Sequence, residues 1–267
     1  MIDHRSPSRD NSSREWFEEW FSHPLYLKVY HHRDNAEAEL CIETILAVTG
    51  SDPGNQSPVL DIACGAGRHA IALARRGFHV TANDLSAFLL GEAEKEARDE
   101  GLEIEFSCCD MRNIKLDRNF ELIVQLFSSF GYFDTDEDDR AVIRNVSSML
   151  RPGGWYVLDI INPEHLRKHL VPRTEKQIET LTITEERVLT ERNVSKTITI
   201  KDANGDRCTF SESVRLFAPE EISGLLESEN LEVMLMAGDY SGSEFQAGSS
   251  PRMILFARKK AETPNSL

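Results

Sequence analysis

The chain has 267 residues, of which 40% are hydrophobic and 28% are charged, a balance typical of globular proteins that bury their own core. With 30 Lys and Arg against 45 Asp and Glu, the formal net charge is −15, which disfavours nucleic acid and anionic membrane surfaces as partners. No run of about 18 apolar residues predicts a membrane span, and residues 1–14 lack the apolar segment of a secretory signal, so we expect a cytoplasmic protein.

Five cysteines are present, and no two of them form a C-x-x-C pair. This spacing favours reduced, packed thiols over a disulfide framework or a zinc ribbon. The acidic residues from Asp134 to Asp139 suit the positive end of a helix better than a metal site. We therefore expect no metal.

The N-terminal part of the chain changes character at residue 14. Residues 1–13 are polar and rich in Ser and Arg, which predicts a disordered tail. Residues 14–50 are predicted to form a helical lid, in which Pro24 separates two short aromatic helices. A longer helix is expected from Asn35 to about Thr49, before Gly50.

Strands and helices alternate from residue 51 to residue 166, which predicts a parallel sheet with helices on both faces and defines the core of the chain. The predicted strands are residues 59–63, 79–82, 104–108, 121–127 and 155–161, and the predicted helices are residues 67–76, 86–100 and 136–150.

The pattern changes to a period of two within residues 167–217, which predicts an antiparallel insertion of two to four strands. Asn204-Gly205 lies between two such runs and is a strong hairpin signal. Residues 218–267 return to the core sheet, with a helix predicted at 219–229 and strands at 232–237 and 253–258.

The most informative segment is the glycine loop, where a strand leads into Gly65-Ala66-Gly67 and a helix follows. The pattern G-x-G-x-x-G/A alone is shared by several kinds of nucleotide-binding protein. Asp61 lies inside the preceding strand, where a carboxylate suits an ammonium or sulfonium better than a pyrophosphate. Asp84 ends the next strand, where an acid binds ribose hydroxyls. Asp110 ends the third strand, where a carboxylate can accept from an adenine amine.

Four pieces of the sequence, DIACGAGRHA, NDLS, CCDMRN and LRPGGWYVLDI, together resemble the class I S-adenosylmethionine-dependent methyltransferases. The terminal segments are similar to a bacterial small-molecule branch of that family. The resemblance covers residues 59–161 well and residues 219–258 in outline. It implies a Rossmann-like, doubly wound, mainly parallel seven-stranded α/β sheet closed by a reversed hairpin, with S-adenosylmethionine as the cofactor.

The resemblance also implies roles for individual residues. The methionine part of the cofactor would be surrounded by Asp61, Ala63, Gly65 and Gly67. Asp84 would bind the ribose diol, Leu85 would pack on the adenine, Asp110 would accept from its amine, and the Met111 backbone would lie at the ring edge. Leu126 and Phe127 would end the fourth strand, where the family offers a carbonyl to the cofactor's ammonium.

The aromatic N-terminal segment has two interpretations. In the first, Tyr26, Tyr30 and Arg33 close over cofactor and substrate, and Arg33 binds the cofactor carboxylate. In the second, the aromatic residues are only the hydrophobic face of the helices. Rossmann-type methyltransferases bind substrate above the carboxyl ends of the strands, where such a segment covers the opening.

The expected reaction is in-line methyl transfer to a small molecule held between the lid and the insertion. Alignment and exclusion of water are then the protein's main tasks. The sequence assigns no catalytic residue; the titratable candidates near the opening are His31, His32, Tyr132, Asp159 and His165. It also leaves open the acceptor, the atom methylated, the need for a general base and the oligomeric state, a homodimer being possible.

Two alternatives share these features. A NAD(P)-dependent oxidoreductase would use the same glycine loop. A non-catalytic cofactor-binding or assembly protein would use the antiparallel insertion as a dimer surface.

Overall fold

The structure is a computed structural model that describes residues 15–30, 35–55 and 57–261. The predicted tail at residues 1–13 and the predicted binding residue Arg33 lie outside these ranges. A seven-stranded sheet and a separate four-stranded antiparallel sheet form the framework. Within the described residues, no helix combines the length and the apolar character needed to cross a membrane.

The larger sheet has the strand order β10-β11-β5-β4-β1-β2-β3, in which β1 to β5 are parallel and β11 runs antiparallel between β5 and β10. This is the predicted doubly wound sheet with its reversed hairpin, and the fold class is confirmed. The strands are β1 Pro58–Ile62, β2 His79–Asp84, β3 Ile104–Cys108, β4 Phe120–Gln125, β5 Leu150–Ile161, β10 Leu231–Ala237 and β11 Arg252–Lys259.

Helices cover both faces of this sheet, so its central strands are apolar on both sides. In β1, Leu60 and Ile62 belong to one hydrophobic core, whereas Val59 belongs to the other. Ser86 and Thr135 cap two of the helices, each accepting a backbone N–H through its side chain. The helices beside this sheet are α3 Asn35–Thr49, α4 Arg68–Arg75, α5 Ala87–Asp99, α6 Asp136–Met149 and α8 Pro219–Ser228.

The smaller sheet is an antiparallel meander in the order β6-β7-β8-β9. Two short N-terminal helices complete its core: Trp20 and Val29 are fully buried with apolar residues of the sheet, and the Trp20 ring stacks on Phe210 with 4.4 Å between centroids. The strands are β6 Arg173–Ile178, β7 Leu181–Leu189, β8 Asn193–Lys201 and β9 Arg207–Arg215, and the two helices are α1 Trp16–Phe21 and α2 Leu25–Val29.

Several elements differ from the prediction. Helix α7, Pro163–His169, and strand β6 were not predicted, and β5 begins five residues earlier than expected, at Leu150. The hairpin at Asn204-Gly205 is confirmed; its loop is held by Asp202, whose Oδ1 accepts the backbone N–H of Asn204 at 2.9 Å. The domain boundaries drawn from the sequence stay predictions.

Candidate functional site

A cavity of about 550 Å³ lies at the carboxyl ends of β1, β2 and β4, beneath α1 and α2 and beside β8 and β9. Open α/β sheets bind ligands at this edge. Among the described residues, Gly67 is the one predicted binding residue that does not line the cavity. Those that do are Tyr30, Asp61, Ala63, Gly65, Asp84, Leu85, Asp110, Met111, Leu126 and Phe127.

The glycine loop needs left-handed backbone at two glycines for different reasons. Gly65, with φ +59°, borders the cavity, and a Cβ there would meet no atom within 4 Å. Gly67, with φ +82°, lies at the start of α4, where a Cβ would approach the Cβ of Ala93 to 2.8 Å. Gly65 therefore exposes backbone to a ligand, and Gly67 allows α4 to pack against α5.

Asp61 is buried beside this loop, and its Oδ2 has no hydrogen-bond partner among the described residues. Burial and the nearby Asp84 carboxylate raise its pKa to about 8, although a hydrogen bond from the Ala70 backbone and the charge of Arg68 act in the opposite direction. An unpartnered buried carboxylate oxygen is costly without a donor. The ammonium of S-adenosylmethionine is such a donor, so Asp61 fits the expected cofactor.

Asp84 holds the glycine loop in place. Its Oδ2 accepts the Gly65 backbone N–H, and its Oδ1 accepts the Ser86 backbone N–H, both at 2.8 Å. Burial raises the pKa of this carboxyl in spite of these hydrogen bonds. Because a carboxylate has about four lone-pair positions, Asp84 can still accept hydrogen bonds from hydroxyl groups in the cavity.

Asp110 is engaged by an arginine that the sequence analysis missed. Arg112 donates from Nη2 to Asp110 Oδ2 at 2.6 Å and to Glu15 Oε2 at 2.7 Å, and its guanidinium lies 4.3 Å from the Phe133 ring centroid. This ion-pair chain joins the end of β3 to the residue before α1. It thereby anchors the N-terminal helix next to Asp110.

The turn after β4 is strained and firmly held. Phe127 and Ser128 have φ of +64° and +61°, a conformation that non-glycine residues rarely adopt. The Phe127 N–H donates to Asp159 Oδ2 at 2.8 Å, and the Ser128 N–H donates to the Asp159 carbonyl at 3.0 Å. Arg252 and the Tyr240 hydroxyl also donate to the Asp159 carboxylate, each at 2.8 Å. Asp159 thus anchors this turn.

The cavity is also lined by a charged cluster that the sequence analysis missed. Glu212 accepts from Trp20 Nε1 at 2.7 Å and from the Tyr30 hydroxyl, and forms an ion pair with Lys196 at 2.7 Å. Lys196 in turn donates to the Tyr30 hydroxyl. Lys196 and Glu212 are directly opposite each other in the pairing of β8 with β9. The sequence signal for this ion pair was the presence of opposite charges in the two alternating runs.

The other titratable candidates have different positions. Tyr132 lines the cavity beside Trp16, with 5.1 Å between ring centroids. His165 is on α7, where it stacks on His169 and does not line the cavity. His31 and His32 lie outside the described residues.

Comparisons with known proteins agree on one kind of chemistry. A family model described as a methyltransferase domain matches residues 59–154. The cypemycin N-terminal methyltransferase of a Streptomyces species is 26% identical over 219 residues, which cover 79% of this chain and 87% of that protein. An aminosugar N,N-dimethyltransferase of Streptomyces venezuelae, specific by name for dTDP-3-amino-3,4,6-trideoxy-α-D-glucopyranose, is 34% identical over 39% of this chain and 42% of its own length.

Solved structures show the same fold. An S-adenosylmethionine-dependent methyltransferase from Clostridium acetobutylicum matches with a TM-score of 0.77 and 22% identity, covering 90% of this chain and 98% of that chain. The CcbJ methyltransferase from Streptomyces caelestis matches with a TM-score of 0.75 and 18% identity, covering 91% and 98%. These findings give no support to the oxidoreductase or the non-catalytic alternative. With its glycine loop, its orphaned Asp61 oxygen and these relatives, the chain is a class I S-adenosylmethionine-dependent methyltransferase.

Proposed function

We propose that this methyltransferase acts on a small molecule, an amine in particular, bound between α1–α2 and the four-stranded sheet. One observation carries the proposal: a single cavity is lined both by the glycine loop and by the Lys196–Glu212 pair. The two substrates can therefore meet within one cavity. The volume of about 550 Å³ is in the range of small-molecule sites and well below the size of a folded macromolecule.

Nine of the predicted cofactor residues have a role in this proposal. Asp61 pairs with the cofactor ammonium, for which the Leu126 backbone carbonyl is the second partner. Asp84 accepts the ribose hydroxyls, and Leu85 packs on the adenine. The Asp110 carboxylate accepts from the adenine amine with a lone pair that Arg112 leaves, and the backbone of Met111 lies at the ring edge. Ala63 and Gly65 border the methionine part, which Gly67 supports through its contact with Ala93.

The acceptor wall is supplied by residues that the topology brings from distant parts of the chain. Tyr26 and Tyr30 come from the N-terminal helices, Tyr132 follows β4, and Lys196 and Glu212 come from the smaller sheet. Aromatic faces with a few fixed polar groups are typical of small-molecule sites, because the rings bury apolar surface and the polar groups orient the ligand.

Three relatives have names that favour an amine, whereas a Coxiella burnetii relative, 30% identical over 39% of this chain, is named ubiquinone biosynthesis O-methyltransferase. The Streptomyces relatives are named for methylation of a peptide N-terminus and of an aminosugar nitrogen, and a rat relative, 32% identical over 40% of this chain, is named glycine N-methyltransferase. The matches to the aminosugar and glycine enzymes cover about two fifths of those proteins. These two matches therefore support the reaction more than the acceptor.

Methyl transfer requires little from the protein beyond alignment of the acceptor with the cofactor. The sulfonium supplies an activated methyl group and a good leaving group. The protein's residues orient the acceptor nitrogen and exclude water, which the aromatic residues of α1 and α2 achieve by covering the sheet edge. A neutral amine attacks without a base, and the proton that it loses afterwards can pass to water or to the Tyr30–Glu212 pair.

The test is a methyl-transfer screen with radiolabelled S-adenosylmethionine against metabolite pools and against matched amines and alcohols. We expect label to move to small amines, and Glu212→Gln to reduce turnover with the identified acceptor while the dissociation constant of S-adenosylhomocysteine changes by less than about twofold. Preferred transfer to RNA or DNA, with the steep salt dependence of phosphate contacts, would contradict the proposal.

A further inference from the structure

Two histidines lie one helical turn apart on α7 and do not line the cavity. His165 is half-buried and His169 is exposed, and their rings stack with 4.1 Å between centroids and 24° between planes. Side chains at positions i and i+4 share one face of a helix, so α7 presents both imidazoles on the same side. Neither residue takes part in the proposed methyl transfer.

The hydrogen bonds of the two rings determine which nitrogen carries the proton. His165 Nδ1 lies 3.2 Å from the Ser249 carbonyl oxygen, and His169 Nδ1 lies 2.8 Å from the His165 carbonyl oxygen. Because a carbonyl oxygen only accepts, each Nδ1 is the donor. The lone pair of each neutral ring is then on Nε2. Metal-binding histidines typically donate their other ring N–H to a carbonyl or carboxylate in this way.

The His165 ring is oriented by a loop that is fastened to α7. Asn162, which caps this helix, donates from Nδ2 to the backbone carbonyl oxygens on both sides of Ser249, at 2.8 and 2.7 Å. The Ser249 carbonyl is therefore held in place, and with it the His165 ring. The χ2 torsion of histidine is broad, so the exposed His169 ring can turn toward an ion on His165.

The charges beside the pair select the kind of cation. Arg167 and Lys168 lie between the two histidines in the sequence, and they donate to carbonyl oxygens of other segments at 3.0 and 2.9 Å. Their positive charges oppose a cation that is held by electrostatic attraction alone. Hard ions such as Mg²⁺ also prefer oxygen ligands. Imidazole nitrogen suits Zn²⁺, Ni²⁺ and Cu²⁺ instead.

We propose that His165 and His169 form a two-histidine site that binds a divalent transition metal ion through both Nε2 atoms. Among the described residues, no group of three or more His, Cys, Asp or Glu side chains is placed to hold a metal, so water completes the coordination of the ion. The expectation of no metal rested on the cysteines and the acidic run and did not weigh this pair. The inference is independent of the proposed acceptor.

The experiment measures Ni²⁺ binding by calorimetry on the full chain, without an affinity tag and after treatment with a chelator. The titration is made at pH 8, because imidazole binds metals in its neutral form. Ni²⁺ is the probe because Cu²⁺ would oxidise an exposed thiol such as Cys108. The variants are His165→Gln, His169→Gln and the double variant, and thermal unfolding without metal is recorded for each.

A matched control changes only the spacing of the two histidines. The double substitution Arg167→His with His169→Arg keeps the composition and the net charge of the chain. It places the histidines at i and i+2, where side chains on a helix do not face each other. A second control, His31→Gln with His32→Gln, removes the adjacent histidines of the N-terminal segment.

We expect the wild type to bind Ni²⁺ and each single variant on α7 to bind it at least about tenfold more weakly. The second imidazole of a pair binds intramolecularly, which raises affinity by about 10²–10⁴-fold. The double variant should lose little more than either single variant, because one histidine cannot chelate. Saturating Ni²⁺ should raise the Tm of the wild type and of the His31→Gln, His32→Gln protein. It should not raise the Tm of the other variants, and Mg²⁺ should have no effect.

The inference is overturned if the wild type binds no Ni²⁺, or if affinity is unchanged in folded His165→Gln or His169→Gln. Loss of binding in the His31→Gln, His32→Gln protein alone would locate the ion at that pair. Wild-type affinity in the spacing control would show that the two rings of α7 do not chelate one ion. Equal binding of Mg²⁺ would mean that imidazole does not select the ion.

Discussion

The carboxylate of Asp84 is hydrogen-bonded to the backbone N–H of Gly65, with 2.8 Å between Oδ2 and N. The two residues are 19 positions apart, at the ends of β2 and β1. The second oxygen of Asp84 accepts the Ser86 N–H at the start of α5. The residue predicted to bind ribose therefore also shapes the loop that is proposed to hold the methionine part, which couples the two halves of the cofactor site.

The first prediction concerns Asp84→Ala. Loss of the carboxylate should weaken S-adenosylhomocysteine binding by about 1.5–3 kcal/mol, the range for removal of a charge-assisted hydrogen bond. It should also lower the thermal midpoint, because the Gly65 and Ser86 N–H groups lose their acceptor. Asp84→Asn is the matched control, since one amide oxygen can still accept a backbone N–H. An unchanged dissociation constant in folded Asp84→Ala would show that the residue shapes the loop without binding the ligand.

The second prediction compares the two glycines of the loop. Gly67→Ala should destabilise the protein more than Gly65→Ala, because both substitutions force a left-handed backbone at about 1 kcal/mol, but the Gly67 variant also drives a methyl group to 2.8 Å from Ala93. Urea unfolding measures the difference. Equal losses would mean that α4 and α5 can separate at no cost.

The third prediction is a proton released on cofactor binding. The pKa of Asp61 is about 8 in the folded protein, against 3.8 for an ordinary aspartate, so its carboxyl is mostly protonated at pH 7. The cofactor ammonium favours the ionised form. Binding at pH 7 should therefore release close to one proton, and affinity should rise between about pH 6 and pH 7.5.

Calorimetry in two buffers of different ionisation enthalpy measures that proton, and Asp61→Asn should abolish it. The free energy of unfolding of the free protein depends on pH in the opposite direction to the cofactor affinity. Because the folded protein keeps a proton that the unfolded chain loses near pH 4, stability should fall as pH rises from about 4 to about 8. Asp61→Asn should remove this fall as well. Binding with no proton exchange would contradict the prediction.

The fold and the glycine-loop lining of the cavity were predictable because their signals are local. Apolar runs, glycines and caps define each strand and helix of residues 59–161 to within five positions. Asp61, Gly65 and Asp84 all stand at strand ends, which a parallel sheet brings to one edge. Helix α7 also had a local signal, since Asn162 caps it and Pro163 occupies its first turn.

The missed contacts join residues far apart in the chain. Glu15 and Arg112 are 97 positions apart, and Tyr30 and Glu212 are 182 apart. No periodicity links them, because each pairing depends on where the N-terminal helices dock. That docking is set by burial of Trp20 and Val29 against the smaller sheet. The aromatic residues of this segment thus line the cavity and also complete a hydrophobic core, whereas their closing over cofactor and substrate stays a prediction.

The last prediction concerns the pair that ties those helices to β8 and β9. Glu212→Gln should destabilise the protein by about 1–3 kcal/mol, because Lys196, only 16% exposed, loses its charged partner. Lys196→Met should cost less, since Glu212 keeps its hydrogen bonds from Trp20 and Tyr30. If the ion pair is the source of the effect, the double variant should be more stable than the sum of the two losses predicts, by about 1 kcal/mol in urea unfolding. Binding of S-adenosylhomocysteine should be unchanged in all three variants, because we propose that the pair belongs to the acceptor wall. Strict additivity would show that Glu212 and Lys196 act separately, and weakened cofactor binding would place the pair on the wrong side of the cavity.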